Sequence, residues 1–436
     1  MEFLLAPGGC LRGEARVPGD KSMSHRALML GALAEGETRV SGFLHGEDAL
    51  ATLAALRAMG VQIRGPERGE LAIRGVGMRG LQPPRAALDM GNSGTSMRLL
   101  AGILAGQDFP SELRGDASLM RRPMQRVITP LARMGAVLES APGGRPPLRI
   151  AGGAPLRGIH YELPMASAQV KSCVLLAGLF AEGETAVTEA SPTRDHTERM
   201  LRAFGYRVAQ RDRAIALRGG GRLRACAVDI PADISSAAFF VVGACIAPGS
   251  ELLLTQVGHN PTRTGALGIL RRMGADIALD NQREIGGEPV ADLRVRHAPL
   301  RGIDIPRDLV PLAIDEFPAL LIAAACAEGR TVLRGAAELR VKESDRIASM
   351  AAGLSALGVA CEVLDDGIVI EGGRIEGGTV RSFHDHRIAM AFALAGLRAR
   401  GDIRVLECAQ VATSFPGFAS SARALGLRIT VREAPR

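Results

Sequence analysis

Three lysines stand out among the residues that could carry chemistry in this chain of 436 residues. The sequence holds 53 Lys and Arg residues, yet Lys occurs only as Lys21, Lys171 and Lys342. Arginine therefore serves almost everywhere that a cation is wanted. A lysine ammonium is a compact, movable charge whose pKa shifts readily, and an arginine guanidinium cannot replace it in that role. The three lysines are accordingly candidate site residues.

The stretch around Lys21 reads Val-Pro-Gly-Asp-Lys-Ser-Met-Ser-His-Arg over residues 17–26. Its Pro-Gly pair ends a strand-like run. Ser22 is a favourable N-cap for the apolar helix that we predict over Ala27–Leu33, and Gly36 follows the end of that helix.

Three cationic side chains accompany this helix start, where acidic side chains are usual. They are Lys21, His25 and Arg26. Cations at the positive end of a helix repel it unless an anion lies between them, so the arrangement indicates an anion-binding site. The alternative is a solvated first turn whose charges are incidental.

The composition favours a small anionic ligand over a nucleic acid. The net charge is +7, but no Lys/Arg-rich run is present. Aromatic residues make up 3% of the chain, with no Trp and two Tyr, which is too few for the stacking surface that single-stranded nucleic acids need.

The cysteines and the chain start indicate a cytoplasmic protein. The seven Cys are scattered with no Cys-x-x-Cys pair, which is typical of thiols in a reducing cytosol. No Cys or His cluster matches a common zinc spacing, so we expect no metal. The segment Met1–Leu5 lacks the basic region of a signal peptide, and no apolar run reaches the roughly 18 residues of a membrane span. We therefore expect a soluble protein.

A helix-ending glycine pattern recurs six times along the chain. Its glycines are Gly60, Gly135, Gly205, Gly274, Gly358 and Gly426. A second set runs in phase with the first: Gly36, Gly106, Gly183, Gly249, Gly329 and Gly401. Six units of about 70 residues, each with two helices and several short strands, predict an α/β or α+β fold.

Nearly every unusual polar cluster of the chain falls at a predicted helix start, although such residues can also serve only as caps. We expect the first helices of the six units to begin near Ser22, Ser93, Ser167, Ser235, Asp315 and Asp385. We expect the second helices to begin near Glu47, Arg122, Asp195, Arg263, Glu343 and Ser414. Stacked repeats would bring several of these helix N-termini together and add their dipoles at one anion site.

Nine short motifs resemble those of the 5-enolpyruvylshikimate-3-phosphate synthase family, and the resemblance extends over essentially the full chain. The motifs are Gly19–Ser22, Gly91–Thr95, Arg121–Met124, Ser167–Lys171, Arg194–Glu198, Asn260–Arg263, Asp315–Glu316, Arg340–Arg346 and Asp385–Arg387. The groups around Lys21, Gln169, His196 and Arg263 resemble the class II branch of this family.

The resemblance implies the two-domain enolpyruvyl transferase fold with six β/α units, three per domain. The first domain would span residues 21–229 and the second residues 1–20 plus 230–436, with a double-crossover hinge near Asp20–Lys21 and Asp229–Ala232. The domains would close over shikimate 3-phosphate and phosphoenolpyruvate. The implied reaction transfers the enolpyruvyl group to the shikimate 5-hydroxyl by addition and elimination of phosphate, in chorismate and aromatic amino-acid biosynthesis.

The resemblance also implies the partners and the binding residues. The expected protein is a monomer that needs no metal or organic cofactor and binds neither nucleic acid nor membrane. Shikimate 3-phosphate would be bound by Lys21, Ser22, Arg26, Ser167, Gln169, Arg194, Asp315 and Lys342. Phosphoenolpyruvate would be bound by Lys21, the Gly94 backbone amide, Arg122, Gln169, Arg346 and Arg387. Each substrate carries a phosphate and a carboxylate, which guanidinium groups bind with paired hydrogen bonds.

Two carboxylates are the candidates for acid and base catalysis. The addition needs a proton delivered to the methylene and one removed from the hydroxyl. We predict Asp315 as the base, Glu343 as the proton relay to the methylene, and Lys21 as the group that stabilises developing charge. The alternatives are that Asp315 only caps a helix and that Glu343 only forms a surface ion pair with Arg346.

Departures from the family pattern bear on inhibition by glyphosate, which competes with phosphoenolpyruvate in this family. Gly94 occupies a position where tolerant class II members carry Ala, and this predicts sensitivity, whereas the class II motifs favour tolerance. Thr413 stands where many members of the family have a Lys. Ala168 stands where members of the other branch of the family have a Ser.

Three other functions compete with this interpretation. The related transferase that acts on UDP-N-acetylglucosamine usually has a Cys before the Arg-Pro pair, and the segment Arg114–Pro123 has none. A catalytically silent scaffold would have lost the catalytic residues, which are present here. A basic nucleic-acid-binding protein would need more aromatic residues.

Overall fold

Helices and short strands alternate along residues 1–433, the part of the chain that this computed structural model describes. The α-helices are α1 Lys21–Leu33, α2 Glu47–Ala58, α3 Gly94–Ala105, α4 Gln125–Arg133, α5 Ala168–Gly178, α6 His196–Ala203, α7 Ile234–Ile246, α8 Gly265–Arg272, α9 Phe317–Cys326, α10 Arg346–Ala356, α11 His386–Ala395 and α12 Phe418–Ala424. Short 3₁₀ helices span Leu119–Arg121, Arg307–Leu309, Ala337–Val341 and Cys408–Thr413.

The strands are short, and most have two to six residues. They are β1 Glu2–Leu5, β2 Arg12–Ala15, β3 Ala34–Glu35, β4 Glu37–Ser41, β5 Gln62–Glu67, β6 Glu70–Arg74, β7 Leu88–Asp89, β8 Ser111–Arg114, β9 Leu138–Ala141, β10 Arg145–Ile150, β11 His160–Glu162, β12 Glu184–Thr188, β13 Ala209–Arg211, β14 Ala214–Arg218, β15 Leu223–Arg224, β16 Ala227–Asp229, β17 Glu251–Gly258, β18 Asp276–Ile285, β19 Glu288–Arg296, β20 Arg330–Leu333, β21 Cys361–Leu364, β22 Gly367–Glu371, β23 Gly378–Arg381, β24 Ile403–Leu406 and β25 Ile429–Arg432.

Contacts divide the chain into two units, each with its own hydrophobic core. The first unit comprises Gly19–Ile230 and Ile285–Gly287. The second unit comprises Met1–Pro18, Pro231–Glu284 and the chain from Glu288 onward. The strands β1 and β2 at the start of the chain accordingly belong to sheets of the second unit.

One sheet pattern repeats in both units. The first unit contains the four-stranded sheets β16-β4-β6-β5, β7-β8-β10-β9 and β11-β12-β14-β13, besides the pair β15-β3. In each four-stranded sheet, the first pair is parallel and the next two pairs are antiparallel. The second unit contains the sheets β23-β24-β1-β25, β18-β19-β17-β2 and β20-β22-β21, and a parallel bridge from Asp304 to Val332 continues the last of them. The repeated pattern confirms the predicted α/β architecture of six units.

The first helix of every repeat is almost wholly buried. In α1, α3, α5, α7, α9 and α11, apolar residues surround the helix, as is expected for a helix that is packed on all sides. Small residues let these helices approach closely. A Cβ on Gly102 of α3 would lie 2.3 Å from the carbonyl oxygen of Cys173 in α5, so only glycine fits there.

The predicted N-cap of α1, Ser22, is wrong by two residues. The helix begins at Lys21, and the N-cap is Asp20, whose carboxylate accepts a 2.8 Å hydrogen bond from the Met23 amide. Asp and Ser are about equally favourable as N-caps, so the sequence did not distinguish them. As a result, Lys21 and Ser22 lie inside the first turn of the helix.

Three of the other first-helix starts are confirmed as N-caps, and two are displaced. Ser93, Ser167 and Asp385 each cap a helix with their side chains. The cap of α7 is Asp233 in place of Ser235, and the residue that precedes α9 is Glu316 in place of Asp315.

The second helices begin as predicted at Glu47 and after Asp195, but the other four start two to four residues later than expected. Three of the late helices follow a 3₁₀ turn, which takes up part of the polar segment. Arg122 and Glu343 therefore lie in loops ahead of their helices.

The six glycines predicted to end the second helices all adopt positive φ angles, between 78° and 113°. This left-handed conformation closes a helix C-terminus and confirms the repeat that the glycines marked. Within residues 1–433, none of the helices combines the length and the apolar character needed to cross a membrane.

Candidate active site

The start of α3 holds two guanidinium groups in the first unit. Arg122 donates from Nη1 to the carbonyl oxygen of Asn92 (3.2 Å) and from Nη2 to its Oδ1 (2.5 Å). A Cβ built on Gly94 would lie 3.0 Å from Nη1 of Arg98 and 3.4 Å from Nη1 of Arg122. Both cations thus flank the positive end of a buried helix, which suits an anion.

Gln169 connects this group to the start of α5. Its Oε1 accepts a 2.6 Å hydrogen bond from Nη1 of Arg98, and its Nε2 donates to Oγ1 of Thr95 at 3.0 Å. Ser167, the N-cap of α5, accepts from the Val170 amide at 3.4 Å. Gly94, Arg122, Gln169 and Ser167 are therefore brought to the N-termini of two neighbouring helices.

Lys21 is held by a carboxylate that we did not predict. Its Nζ forms a short ion pair with Oδ2 of Asp48, with 16% and 7% of the two side chains exposed. Oγ of Ser96 lies 2.7 Å from Oγ of Ser93 and 3.4 Å from the Asp48 carbonyl oxygen, within hydrogen-bond distance of both. Hydrogen bonds thus connect the support of Lys21 to the cap that precedes Gly94.

His25 is a neutral member of this network. Its Nδ1 lies 2.8 Å from Oγ1 of Thr52, which lies 2.7 Å from Oγ of Ser96, and the His25 side chain is fully buried. Burial lowers the pKa of His25 well below its ordinary value, and the charges of Lys21 and Arg26 lower it further. The sequence-based interpretation of His25 as a cation at the anion site is therefore wrong.

We expect the buried, neutral His25 to make the protein less stable below about pH 6.5. The unfolded chain takes up a proton there and the folded chain does not, so each pH unit below this value costs about 1.4 kcal/mol until the folded pKa is reached. Urea unfolding of the wild type and of His25→Gln at pH 7.5 and 5.5 measures this effect. The free energy of unfolding should fall more in the wild type, and equal losses in both proteins would contradict the assignment.

Arg26 is buried and joins three helices of the first unit. It donates from Nε to Thr197 and from Nη2 to Ser172, both at 2.7 Å, and from Nη1 to the Ser22 carbonyl at 2.9 Å. The guanidinium thus supports the turn that carries Ser22. A direct contact of Arg26 with a ligand stays a prediction.

Lys171 lies in the first turn of α5, as its motif predicted. It is fully buried within α5 and forms ion pairs with Glu189 and Glu198. Its rarity as a lysine therefore did not mark a substrate contact. Arg194 is half-buried in the segment that connects β12 to α6.

In the second unit, one buried guanidinium gathers three carboxylates. Arg346 contacts Asp385 through Nε (2.8 Å), Glu343 through Nη2 (2.6 Å) and Asp315 through Nη1 (3.2 Å). Burial opposes the charge of Arg346, but the three carboxylates outweigh it and raise the pKa of the guanidinium above its ordinary value. Arg346 is therefore a fixed cation.

The other predicted residues of the second unit join the same cluster. Nζ of Lys342 lies 3.4 Å from Oδ1 of Asp315, and Nη1 of Arg387 donates to the Asp315 carbonyl at 2.9 Å. Asp315 is not the residue before α9, so the alternative of a simple cap does not hold. Glu343 does pair with Arg346, but the partner is buried, so this is not a surface ion pair.

Two site residues of the first unit, Arg98 and Asp48, were not predicted from the sequence. Arg98 lies one turn after Gly94 in α3, and this spacing could have indicated that both share a helix face. Asp48 gave no signal, because an acidic residue in the first turn of a helix is common. Its contact with Lys21 depends on how α1 and α2 pack.

Comparisons with known proteins identify relatives along the whole chain. The sequence profile of the family EPSP synthase (3-phosphoshikimate 1-carboxyvinyltransferase) matches residues 5–421. The 3-phosphoshikimate 1-carboxyvinyltransferase of Alkalilimnicola ehrlichii is 65% identical over 431 residues, which cover 99% of this chain and 97% of the relative. That of Methylococcus capsulatus is 63% identical over 429 residues, covering 98% of each chain.

Solved structures agree with these sequence matches. The EPSP synthase of Acinetobacter baumannii is 57% identical and superposes with a TM-score of 0.88, covering 99% of this chain and 100% of its own. The enolpyruvyl transferase NikO of Streptomyces tendae superposes with a TM-score of 0.79 over 100% of this chain and 99% of its own. Its identity is only 18%, so this likeness shows the fold alone.

Proposed function

Because the chain belongs to the EPSP synthase (3-phosphoshikimate 1-carboxyvinyltransferase) family, we propose that the residues described above carry out the reaction of that family. The protein transfers the enolpyruvyl group of phosphoenolpyruvate to the 5-hydroxyl of shikimate 3-phosphate and releases phosphate, in aromatic amino-acid biosynthesis. The observation that carries the assignment of roles is the cluster around Arg346, where both candidate catalytic carboxylates contact one buried cation.

Each unit supplies part of the proposed binding residues. Phosphoenolpyruvate is bound by the Gly94 amide, Lys21, Arg122 and Gln169 of the first unit and by Arg346 and Arg387 of the second. Shikimate 3-phosphate is bound by Lys21, Ser22, Arg26, Ser167, Gln169 and Arg194 of the first unit and by Asp315 and Lys342 of the second. The support for this division is that three of the four groups combine cations with helix N-termini, as oxyanions require, and that the fourth places the ammonium of Lys342 beside Asp315.

The proposed chemistry uses the two carboxylates in turn. Asp315 removes the proton of the 5-hydroxyl while the hydroxyl oxygen bonds to the enol carbon. Glu343 delivers a proton to the methylene, which becomes a methyl group. The methyl group then returns a proton to Glu343 as the carbon–oxygen bond to phosphate breaks, and the proton held by Asp315 leaves with the phosphate. Lys21 stabilises the negative charge that develops at the reacting oxygens.

Phosphate release on mixing the protein with both substrates tests this function. We expect release to depend on both shikimate 3-phosphate and phosphoenolpyruvate, and to stop when either is omitted. Replacing shikimate 3-phosphate with UDP-N-acetylglucosamine should give no release. Release from that nucleotide, or none from shikimate 3-phosphate, would contradict the proposal.

The protein is further proposed to act as a monomer in the cytoplasm. The seven cysteines are free thiols in the structure, which is typical of a reducing compartment. Light scattering of the purified protein should give a mass near 45.8 kDa, and a dimer mass would contradict the monomer.

We expect the protein to be sensitive to glyphosate and the change Gly94→Ala to make it tolerant. The new methyl group would press on the guanidinium groups of Arg98 and Arg122, at 3.0 and 3.4 Å. Phosphoenolpyruvate is short enough to lie beside a methyl group, whereas the longer inhibitor must be compressed. Such overpacking costs on the order of 1–3 kcal/mol, or roughly 5- to 150-fold in affinity.

The inhibition constant of glyphosate against phosphoenolpyruvate, measured for both proteins, checks this expectation. KM for phosphoenolpyruvate should rise less than the inhibition constant. The control is Gly268→Ala, which adds the same methyl group within α8 at an ordinary distance of 3.5 Å from its nearest neighbour, Leu309. A tolerant wild type would show that other features, such as Thr413, decide tolerance.

A further inference from the structure

Lys171 holds three points of the chain together inside the first unit. Its Nζ contacts Oε1 of Glu198 at 2.7 Å and Oε2 of Glu189 at 3.0 Å, and it donates to the carbonyl oxygen of Thr193 at 3.3 Å. Glu189 directly follows β12, and Glu198 lies in the first turn of α6. The ammonium thus contacts both ends and the middle of the segment 189–198, which connects β12 to α6.

The group is buried and has a formal charge of −1, from one ammonium and two carboxylates, and burial raises the pKa of Glu189 above its ordinary value. The side chains of Lys171, Glu198 and Glu189 are 1%, 2% and 7% exposed. Removing such charges from water offsets most of their attraction, so a buried ion pair is weak evidence for stability. The best-supported use of buried ionic groups is to specify one geometry among several.

The geometry that this group specifies is that of the residue before Arg194. Two polar groups of Thr193 bond to this group: its carbonyl accepts from Lys171, and its Oγ1 donates a short hydrogen bond to Oε1 of Glu189. Thr193 is buried, whereas Arg194 is half-buried. Because Thr193 is held through two groups, the backbone position from which the Arg194 side chain extends is also held.

Lys171 also belongs to the helix that carries two of the proposed ligand contacts. Its amide donates to the Ser167 carbonyl at 3.1 Å in the first turn of α5, and Gln169 lies between them in sequence. The Nζ contacts therefore connect the start of α5 to the segment of Arg194 through a single side chain.

We propose that Lys171 is a positioning residue, which sets Arg194 relative to Ser167 and Gln169 so that these side chains bind shikimate 3-phosphate together. This inference rests on the proposed function, because it takes Arg194 as a contact of that substrate. Arg binds oxyanions through two parallel hydrogen bonds and is sensitive to its placement, since a misplacement of 1 Å can cost 10²-fold in rate.

Two variants loosen the segment without removing Arg194. Thr193→Val keeps the size and branching of the side chain and removes only the hydrogen bond to Glu189. Lys171→Met is combined with Glu189→Gln, because this pair keeps the net charge of the group at −1. The matched control is Thr185→Val in β12, where the buried hydroxyl has no hydrogen-bond partner among the described residues.

The experiment is a double-mutant cycle that measures KM for both substrates, kcat and Tm, with each change made in the wild type and in Arg194→Met. We expect Thr193→Val to raise KM for shikimate 3-phosphate roughly tenfold, with kcat and KM for phosphoenolpyruvate nearly unchanged. The Lys171→Met/Glu189→Gln pair should raise it at least as much, and Thr185→Val should leave it unchanged. In the Arg194→Met background, neither change should raise KM further.

The outcomes separate this inference from the function on which it rests. If Arg194→Met leaves KM for shikimate 3-phosphate unchanged, the assignment of Arg194 to that substrate is wrong, and with it the role of Lys171. If Arg194→Met raises KM but the other changes raise it by the same factor in both backgrounds, Arg194 binds the substrate and positioning by Lys171 is overturned. A lower Tm with an unchanged KM also overturns it.

Discussion

The change Asp315→Asn is expected to lower kcat about 10³-fold, within the 10²- to 10⁴-fold that a positioned general base contributes. Asn keeps the size of the side chain and its ability to hydrogen-bond the substrate hydroxyl, but it cannot accept the proton. The fold should survive, because Arg346 keeps its contacts with Glu343 and Asp385 at 2.6 and 2.8 Å. KM for both substrates should therefore change only a few-fold.

Steady-state kinetics of the variant and of a control check this expectation. The control is Asp280→Asn, because Asp280 also pairs with an arginine, Arg294, but in a partly exposed pair outside the cluster around Arg346. The control should retain wild-type kcat and KM. A loss in kcat below tenfold for Asp315→Asn would exclude Asp315 as the base, and a rise in KM at constant kcat would leave it a purely binding role.

Deuterium incorporation separates the role of Asp315 from that of Glu343. During turnover in D₂O, the transient methyl group should carry solvent deuterium back into the enolpyruvyl methylene. In Glu343→Gln, the proton relay is lost, so turnover and the rate of deuterium incorporation should fall together, because every completed addition places one solvent deuteron on the methylene. If both rates stay within twofold of the wild type, another group delivers this proton.

Local patterns in the sequence were sufficient for much of the fold. Ser93, Ser167 and Asp385 cap helices as predicted, because capping depends on the few residues around the helix start. The repeated glycines mark helix ends for the same reason, since each end requires a left-handed backbone. Both features are set by neighbours in the chain.

Contacts between distant segments could not be read from the sequence. Arg98 reaches Gln169 across 71 positions, and the Lys171 side chain joins α5 to β12 and α6. The same limit explains the error at His25, whose charge state depends on burial among Thr52, Ser96 and the surrounding core. The residue type of His25 shows only that it can be charged or neutral. The packing around it decides which of the two forms is present.

The change Lys21→Arg is expected to lower kcat/KM about 10²-fold, the scale of losing one group that stabilises charge in the transition state. The total charge is kept, so long-range attraction of the anionic substrates is not affected. What is lost is the point-like ammonium, which Asp48 holds through Oδ2 and which has only 16% of its side chain exposed. A guanidinium at this place is longer and planar, and its paired hydrogen bonds to Asp48 would direct it away from the reacting oxygens.

The matched control for Lys21→Arg is the reverse exchange at an exposed ion pair, Arg39→Lys, where 82% of the arginine side chain is accessible. We expect this change to leave kcat/KM within twofold, because exposed ion pairs contribute little. The two variants together test whether the chain keeps lysine at position 21 for its chemistry. Near-normal activity of Lys21→Arg, with an unchanged Tm, would show that charge alone is sufficient there. The scarcity of lysine would then carry no information about the site.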